Sequence, residues 1–404
     1  MTTKRGLFYG LTLNIILLAI ASFLTDVSSE MILPILPFFF LTLPGANYAI
    51  LGLVDGLAES TVSFVQIASG YYSDKKGKRK IFVSFGYGFS AALKTAFAFI
   101  VSWPQYIASR VVERMGKGVR NPPRDAIIAE STAPETVGKA FGFHRAMDTS
   151  GAILGPIIAL VFLFTMASAS LSGGTVGGDV YRFIFLMAAI PAAAAFIVTL
   201  FVRERKRAAR KLKPLGASIL HPPPRLRSFM VVAAVFSLAN FSYAFFLLKV
   251  QAVTGSLVDA ILFYLLFNIV YAISAFMTGA LSDRVGRKRV ISTGYLLFAV
   301  LCLSLIFVND LVMLAGLFIV YGLVFGFVEG PQRALVADLA SSELKGTAMG
   351  TYHTSVGLAK LPSSIIAGVL WGFGSQYTFL FGAALAATAL VLFLPFKERS
   401  AAAG

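Results

Sequence analysis

The chain of 404 residues is 57% hydrophobic and only 13% charged, and a soluble domain of that length could not bury so much apolar surface. A bilayer can accept it, because each stretch of about 20 apolar residues crosses as a helix whose backbone hydrogen bonds are internal. The net charge of +16 would suggest nucleic-acid binding in a soluble protein, but the basic residues gather at the ends of apolar stretches, which excludes a nucleic-acid partner.

About twelve apolar stretches are long enough to cross a bilayer by this criterion. In chain order they lie near residues 10–41, 46–69, 81–102, 104–130, 139–165, 181–202, 229–250, 257–281, 290–308, 311–338, 346–370 and 376–396. The sequence therefore predicts an all-α membrane protein with twelve transmembrane helices. The first stretch is too long for a signal peptide and lacks a small-residue cleavage site, so we expect it to be a retained helix.

The first two stretches each carry two carboxylates one helical turn apart, Asp26 with Glu30 and Asp55 with Glu59. Each pair lies on one helix face. A charge in hydrocarbon is costly, and two carboxylates on one buried face favour an exchangeable proton. We therefore take Asp26, Glu30 and Glu59 as candidate proton-coupling or substrate residues. The alternative is that nearby serines or an arginine of the fourth stretch satisfy Asp26 and Glu30, which then only fix packing.

One phrase follows the second stretch and is repeated after the eighth. Residues 70–80 read GYYSDKKGKRK, and residues 279–289 read GALSDRVGRKR. A second phrase, at residues 122–142, parallels residues 330–350 at nearly the same offset. Two phrases at one offset indicate a duplicated chain whose halves have the same orientation in the membrane.

The first phrase resembles the hallmark of the major facilitator superfamily, a Gly, an Asp, a second Gly and a basic cluster. It falls on Gly70, Asp74, Gly77, Lys78, Arg79 and Lys80, with a second copy on Gly279, Asp283, Arg284, Gly286, Arg287 and Lys288. Tyr72 departs from the leucine that is usual in the family. The resemblance covers essentially the whole chain. It implies two pseudo-symmetric six-helix bundles in a monomeric transporter that works by alternating access without a cofactor, with the hallmark residues at a cytoplasmic gate.

The fourth stretch is the most polar of the twelve. It contains Arg110, Glu113, Arg114, Lys117, Arg120, Arg124 and Asp125. Arg114, followed by Gly118, resembles a family motif whose arginine is linked to proton transfer, and Arg110 is a further candidate. The family's hallmark Asp pairs with an arginine of this helix, which implies Arg120 as the partner of Asp74. The alternative for the inner arginines is that they only extend to the membrane interface.

The fifth stretch resembles the antiporter-associated motif of the family at Gly142, Gly151, Gly155 and Pro156, which implies export. The glycines allow helices to approach closely, and the proline can bend the helix. The alternative is ordinary packing of small residues. His144 and Asp148 share one face of the same stretch, and we take them as further coupling candidates.

The segment 203–228 is basic and contains three consecutive prolines. We expect it to be a cytoplasmic linker between six-helix bundles at residues 1–202 and 229–404. Basic residues also follow the second, eighth and tenth stretches and flank the first and last, whereas the alternate connections carry almost none. This asymmetry places both termini in the cytoplasm and the protein in the cell (inner) membrane.

The second half offers fewer charged candidates. Glu329 and Arg333 have the spacing of an ion pair on one helix, and we expect them at the gate. Lys360 lies in the middle of the eleventh stretch and is a candidate substrate contact or counter-ion.

These residues favour a proton-coupled exporter of a small organic compound in the lipid bilayer. A divalent-metal exporter with Asp26, Glu30, His144 and Asp148 as ligands is the first alternative, since carboxylates and imidazole suit such ions. Proton-coupled uptake is the second, because the same acids could load a proton with the solute. No nucleophile and base, phosphate-binding loop or extramembrane catalytic domain is visible, so an enzyme is not expected.

Overall fold

A computed structural model of the chain describes residues 12–132, 136–167, 177–204, 223–340 and 345–396. Most of the expected linker, at residues 205–222, lies outside the described residues, as do the basic residues near both termini. The predicted placement of these segments in the cytoplasm therefore stays a prediction.

Within the described residues the chain forms fourteen helices and no strand, which confirms the predicted all-α class. The helices are α1 (Leu13–Ile32), α2 (Leu36–Leu41), α3 (Tyr48–Lys76), α4 (Lys80–Phe97), α5 (Trp103–Glu130), α6 (Val137–Ala167), α7 (Gly178–Leu200), α8 (Pro224–Ala239), α9 (Ala244–Thr254), α10 (Leu257–Val285), α11 (Arg287–Phe307), α12 (Leu311–Leu339), α13 (Lys345–Phe373) and α14 (Ser375–Phe393).

Two of the twelve predicted stretches are each divided into two helices. The first breaks between α1 and α2 at Pro34, which cannot donate a backbone hydrogen bond and crowds the carbonyl four residues earlier. The seventh breaks between α8 and α9, where the hydroxyl of Ser242 accepts a hydrogen bond from the Ala244 backbone N–H at 3.1 Å. These breaks account for fourteen helices where twelve stretches are apolar.

Ten of the predicted stretches form helices that are long and apolar enough to cross a membrane by length and composition. The two remaining stretches are α4 and α5. The low apolar content of α5 follows from its charged residues, which the structure turns toward neighbouring helices. A polar helix of this kind can stay within a membrane only when other helices cover its charges.

The described helices form two compact units. The first comprises the described residues within 1–33 and 64–212, and the second those within 34–63 and 213–404. α3 therefore begins in the second unit and ends in the first. The predicted division at residues 202 and 229 concerns the duplication, and it stays a prediction.

In the first unit α1 packs against α6 and α7, and α4 packs against α5 and α7. The helices α4 and α5 meet at two glycines, since a Cβ at Gly86 would lie only 2.7 Å from the backbone oxygen of Gly116. Between helices in lipid, such close approach replaces the hydrophobic effect as the source of stability.

In the second unit α12 packs against α10 and α11, while α8 packs against α13 and α14. Its interior is rich in aromatic rings. The rings of Phe236 and Tyr295 stack at 4.2 Å between centroids, as do those of Phe246 and Tyr321. Rings at this separation fill the space between helices with rigid side chains.

Candidate functional site

α5 brings three charged side chains together in the interior of the first unit. One Glu113 carboxylate oxygen lies 3.2 Å from Arg110 Nη1 and 3.9 Å from Arg114 Nε, and all three side chains are buried. The two cations compensate the carboxylate for the water that it has lost. Glu113 was not among the predicted site residues, although its spacing of three from Arg110 could have indicated the pair.

Lys94 is a second functional candidate that the sequence analysis missed. Its ammonium group, on α4, donates to the hydroxyls of Ser28 and Ser29 at 2.9 Å and to the carbonyl of Thr25 at 3.4 Å. The hydroxyls of these two α1 serines therefore accept hydrogen bonds from Lys94. The alternative interpretation of the sequence had assigned them to Asp26 and Glu30. The signal in the sequence was a single charged residue within the apolar stretch 81–102.

A small cavity of about 10 Å³ lies between Lys94, Glu113 and Arg114. A cavity needs roughly this volume to hold one water molecule. This cavity beside the charges of the first unit therefore has room for about one water molecule.

Asp26 and Glu30 lie at the contact between α1 and α6. A Cβ at Gly151 would be 3.0 Å from the Cβ of Asp26, and a Cβ at Gly155 would be 2.7 Å from the Cβ of Glu30. Two glycines of the predicted antiporter motif thus lie directly against the two carboxylate-bearing positions. Gly142 has no atom within 4 Å of its Cβ position and takes no part in this contact.

α6 also brings His144 and Asp148 together. Nδ1 of His144 lies 3.5 Å from an Asp148 carboxylate oxygen, and both side chains are largely buried. Nε2 of His144 and the other carboxylate oxygen of Asp148 have no hydrogen-bond partner among the described residues. Asp26 interacts electrostatically with Asp148, as well as with Arg124 of α5, so these acids belong to one charged cluster.

Arg124 and Arg120 take different partners in the C-terminal half of α5. Arg124 pairs with Asp125 at 2.9 Å and donates to the Ser22 hydroxyl at 3.2 Å. Arg120 donates to the Ser90 hydroxyl at 2.9 Å, and its guanidinium group lies 4.7 Å from the ring centroid of Tyr87. These contacts hold Arg120 between α4 and α5 through a hydrogen bond and a cation–π interaction.

The expected pair between Asp74 and Arg120 is not formed, so that prediction was wrong for this structure. Asp74 instead accepts two hydrogen bonds from Arg79, one at 2.5 Å. Arg79 also pairs with Glu130 at the end of α5, and its backbone N–H donates to Glu204. Arg79 is closer to Asp74 in the chain than Arg120 is, and it reaches the acid without crossing to another helix.

The second copy of the hallmark forms the corresponding arrangement. Arg287 pairs with Asp283 at 3.1 Å and also with Asp338 at the end of α12. Glu130 and Asp338 hold equivalent positions in the duplicated halves, yet neither was a predicted site residue. Each acid lies 51 residues from the arginine with which it pairs, so the sequence did not indicate the pairing.

The hallmark glycines differ in what they do. Gly77 and Gly286 have positive backbone φ angles of 63° and 96°, which other residues rarely adopt, so both are needed where the chain turns between helices. A Cβ at Gly70 would make an ordinary contact of 3.5 Å with Pro122, and one at Gly279 would meet no atom within 4 Å.

A larger cavity, of about 180 Å³, lies within the second unit. It is bordered by α3, α8, α12 and α13. Its charged and polar lining residues are Glu59, Ser63, Ser237, Asn240, Glu329, Gln332, Arg333, Tyr352, His353 and Lys360. The structure thus brings the predicted residues Glu59, Glu329, Arg333 and Lys360 around one cavity, which the sequence could not show.

Two ion pairs border this cavity. Lys360 Nζ lies 3.5 Å from a Glu59 carboxylate oxygen, and Arg333 lies 2.6 Å from Glu329, which also accepts from the Tyr271 hydroxyl. The first pair joins α13 to α3, and the second has the one-turn spacing expected from the sequence.

A buried hydrogen-bond chain forms one wall of the cavity. The Tyr352 hydroxyl donates to Gln332 at 2.5 Å, and the Gln332 amide donates to the Tyr295 hydroxyl at 2.7 Å. Because each of these side chains is fixed by its neighbour, this wall is rigid.

The first half of α3 packs against α13 through small residues. A Cβ at Gly56 would lie 2.9 Å from the Leu361 backbone, and the Ser60 hydroxyl donates to the Gly357 carbonyl at 2.8 Å. Nearby, the buried Asp55 carboxylate accepts a hydrogen bond from Ser242 at 2.5 Å. These contacts fix the helix that carries Glu59.

The alternative metal site does not assemble. Within the described part of the chain no group of three or more His, Cys, Asp or Glu side chains is placed to hold a metal ion. Asp26, Glu30, His144 and Asp148 are therefore not gathered as a ligand set in the described structure.

The sequence model of the Major Facilitator Superfamily matches residues 18–266 and 230–403. The chain belongs to the major facilitator superfamily. It is therefore a multi-pass membrane transporter of small solutes and not an enzyme. An MFS-type transporter of Methanocaldococcus jannaschii is 38% identical over 390 residues, which are 95% of each chain. The multidrug resistance protein MdtG of Escherichia coli (strain SMS-3-5 / SECEC) is 24% identical over 82% of this chain and 81% of its own.

Solved structures of other superfamily members show the same fold. A single-residue variant of the nucleoside transporter NupG superposes with a TM-score of 0.79 at 15% identity, over 95% of this chain and all of its own. A bacterial homologue of the human lysosomal transporter Spinster gives 0.78 at 15% identity, over 95% of this chain and 96% of its own. The predicted fold is thus confirmed, and these likenesses concern the fold alone.

Proposed function

We propose that this transporter exports a small organic solute in exchange for protons. The observation that carries the proposal is the contact between α1 and α6, where Gly151 and Gly155 lie directly against Asp26 and Glu30. The two glycines belong to the motif whose resemblance to antiporters implied export. A change of charge at either carboxylate therefore acts directly on a close contact between two helices. Gly151 and Gly155 have no side chain that could move to accommodate the change.

The charged cluster around Asp26 gives a physical basis for coupling. When Asp26 is ionised, it attracts Arg124 on α5 and is repelled by Asp148 on α6. A proton on Asp26 removes both effects, and in a medium of low dielectric constant each is stronger than in water. Protonation therefore changes the balance between α1, α5 and α6 and can shift the population of two conformations.

The direction of transport rests on similarity. The relatives named as multidrug resistance proteins share 24% identity with this chain, and export of a compound is one way in which a membrane transporter can give resistance to it. The match of the α6 glycines points the same way. We place the hallmark residues at a cytoplasmic gate whose central cations are Arg79 and Arg287. In this proposal the protein lies in the cell membrane and both termini are in the cytoplasm.

A screen first identifies solutes that raise the melting temperature of the purified protein. Transport of these solutes is then measured with the protein in liposomes. Asp26→Asn combined with Glu30→Gln is expected to abolish solute movement driven by a pH gradient, while movement down the solute's own gradient persists. The matched control is Asp179→Asn, because the Asp179 side chain is 99% exposed. If the double variant keeps full pH-driven transport, Asp26 and Glu30 are not the coupling residues.

A further inference from the structure

We infer that the cavity of about 180 Å³ in the second unit binds a small zwitterion, a solute with one carboxylate and one ammonium group. The inference deepens the proposed function, since it names the class of solute that the transporter carries. An apolar cavity of roughly 150 Å³ in another protein accommodates benzene, so the volume here suits a solute of about that size or slightly larger.

The charges of the lining are balanced. Glu59 and Glu329 provide two carboxylates, and Arg333 and Lys360 provide two cations. A solute with a single net charge would upset this balance and leave one charge among the helices without compensation, which is costly. A solute that carries one charge of each sign keeps the balance.

The charged groups form two separate ion pairs around the cavity, Glu59 with Lys360 and Glu329 with Arg333. Lys360 pairs with Glu59 at one place, while His353, two helical turns earlier, borders the cavity on the same helix as Tyr352, whose partner Gln332 adjoins Arg333. Seven residues of helix span about 10 Å. In an α-amino acid both charged groups are attached to the same carbon atom, so such a solute binds at one of these pairs and does not bridge them.

The Glu59–Lys360 pair is the looser of the two. Its separation is 3.5 Å, against 2.6 Å for Glu329 and Arg333. An ammonium group has three donors, so Lys360 can bind a solute carboxylate and keep its contact with Glu59. We assign Lys360 to the carboxylate of the solute and Glu59 to its ammonium group.

Neutral contacts complete the site. The side-chain amide of Asn240 lines the cavity, and it can both donate and accept a hydrogen bond. Phe236 and Phe325 supply apolar walls. The rigid chain of Tyr295, Gln332 and Tyr352 holds the opposite wall in place, so little order is lost when a solute binds.

The test is a thermal-shift and calorimetric panel on the purified full chain, at one pH and without a membrane. The probes are sets of related solutes: leucine and glycine betaine as zwitterions, leucinamide and choline as cations, N-acetylleucine as an anion, and isocaproamide as a neutral compound. We expect binding by zwitterions, with at least a tenfold weaker affinity in Lys360→Met and in Glu59→Gln (about 1.4 kcal/mol). Lys249→Met is the matched control, because Lys249 lies outside the cavity lining.

Two results would overturn the inference: binding of only singly charged or neutral members, or no binding of any zwitterion. Lys360→Arg retains the cation and should keep most of the affinity, which separates loss of charge from misfolding. The test is independent of proton coupling. Zwitterion binding without pH-driven transport would refute the proposed exchange and leave the inference intact, whereas pH-driven export of a solute with net charge would do the reverse.

Discussion

Glu113 is the carboxylate on which the cations of the first unit converge, with Arg110 and Arg114 as its ion-pair partners. Glu113→Gln would leave these two buried cations without their acid. Breaking a buried ion pair by changing one partner costs about 3–5 kcal/mol. We expect a loss of stability of that order, measured as unfolding in detergent.

The chain offers its own reporter for this measurement. Cys302 is the only cysteine in the sequence and is fully buried, so a thiol-reactive fluorophore will report unfolding. Asp179→Asn again serves as the control, because that side chain is exposed. A Glu113→Gln protein as stable as the control would show that the cations do not depend on Glu113.

At the residue scale, local spacing predicted contacts within a helix and failed for contacts between helices. Glu329 with Arg333 and His144 with Asp148 are one turn apart, and the structure forms both pairs. The contact of Lys360 with Glu59 joins positions 301 residues apart. Nothing in a single sequence fixes which side chains such distant helices bring together, because that depends on the rotation of each helix about its axis.

At the scale of the element, the contact of α1 with α6 gives a direct prediction. Gly151→Ala and Gly155→Ala place a Cβ within 3.0 Å of α1 atoms, and overpacking of this kind costs about 1–3 kcal/mol. We expect both variants to lose stability and solute transport. The measurements are the unfolding assay through Cys302 and transport in liposomes.

Gly142→Ala is the matched control on the same helix, since no atom lies within 4 Å of its Cβ position. Alanine is a better helix former than glycine by up to about 1 kcal/mol, so this variant should be neutral or slightly more stable. Equal effects at Gly142 and Gly151 would contradict the special role of the α1 contact.

The sequence predicted where helices lie better than where they break. Twelve apolar stretches were visible because length and hydropathy are properties of the chain alone. The break at Pro34 follows from a known effect of proline, but Pro156, Pro331 and Pro362 lie inside continuous helices. Whether a proline interrupts a helix depends on neighbours that satisfy the carbonyl that it leaves unpaired.

At the scale of the whole molecule, the duplicated hallmark has two similar but unequal outcomes. The side chains of Arg79 and Glu130 are 13% and 25% exposed, whereas those of Arg287 and Asp338 are 20% and 55% exposed. Water screens the second pair more strongly, and exposed ion pairs contribute only about 0.2–1 kcal/mol. The two halves should therefore differ in how firmly their arginines are held.

Double-mutant cycles test this difference. The cycle of Arg79→Gln with Glu130→Gln should give a coupling energy of about 1–3 kcal/mol, and that of Arg287→Gln with Asp338→Asn a smaller one. Unfolding through Cys302 provides the free energies. Equal coupling in both halves, or stronger coupling in the second, would refute the expected asymmetry.

The repeated phrase and the apolar stretches were enough to predict the fold and the superfamily. Both patterns can be read along the chain without knowing which side chains become neighbours. In our proposal the solute is selected by a few side chains around a cavity, such as Asn240 and Lys360, which become neighbours only after folding. A sequence without its relatives shows the residue types but not their convergence.

The most direct test of proton-coupled export is the sign of the pH change that the solute itself causes. Liposomes that contain the protein and an internal pH-sensitive dye, with no initial gradient, receive a solute that binds the purified protein. Exchange predicts that the interior becomes alkaline as the solute enters and protons leave. Acidification would show symport, and an unchanged internal pH during solute entry would show transport without protons; either result would contradict the account.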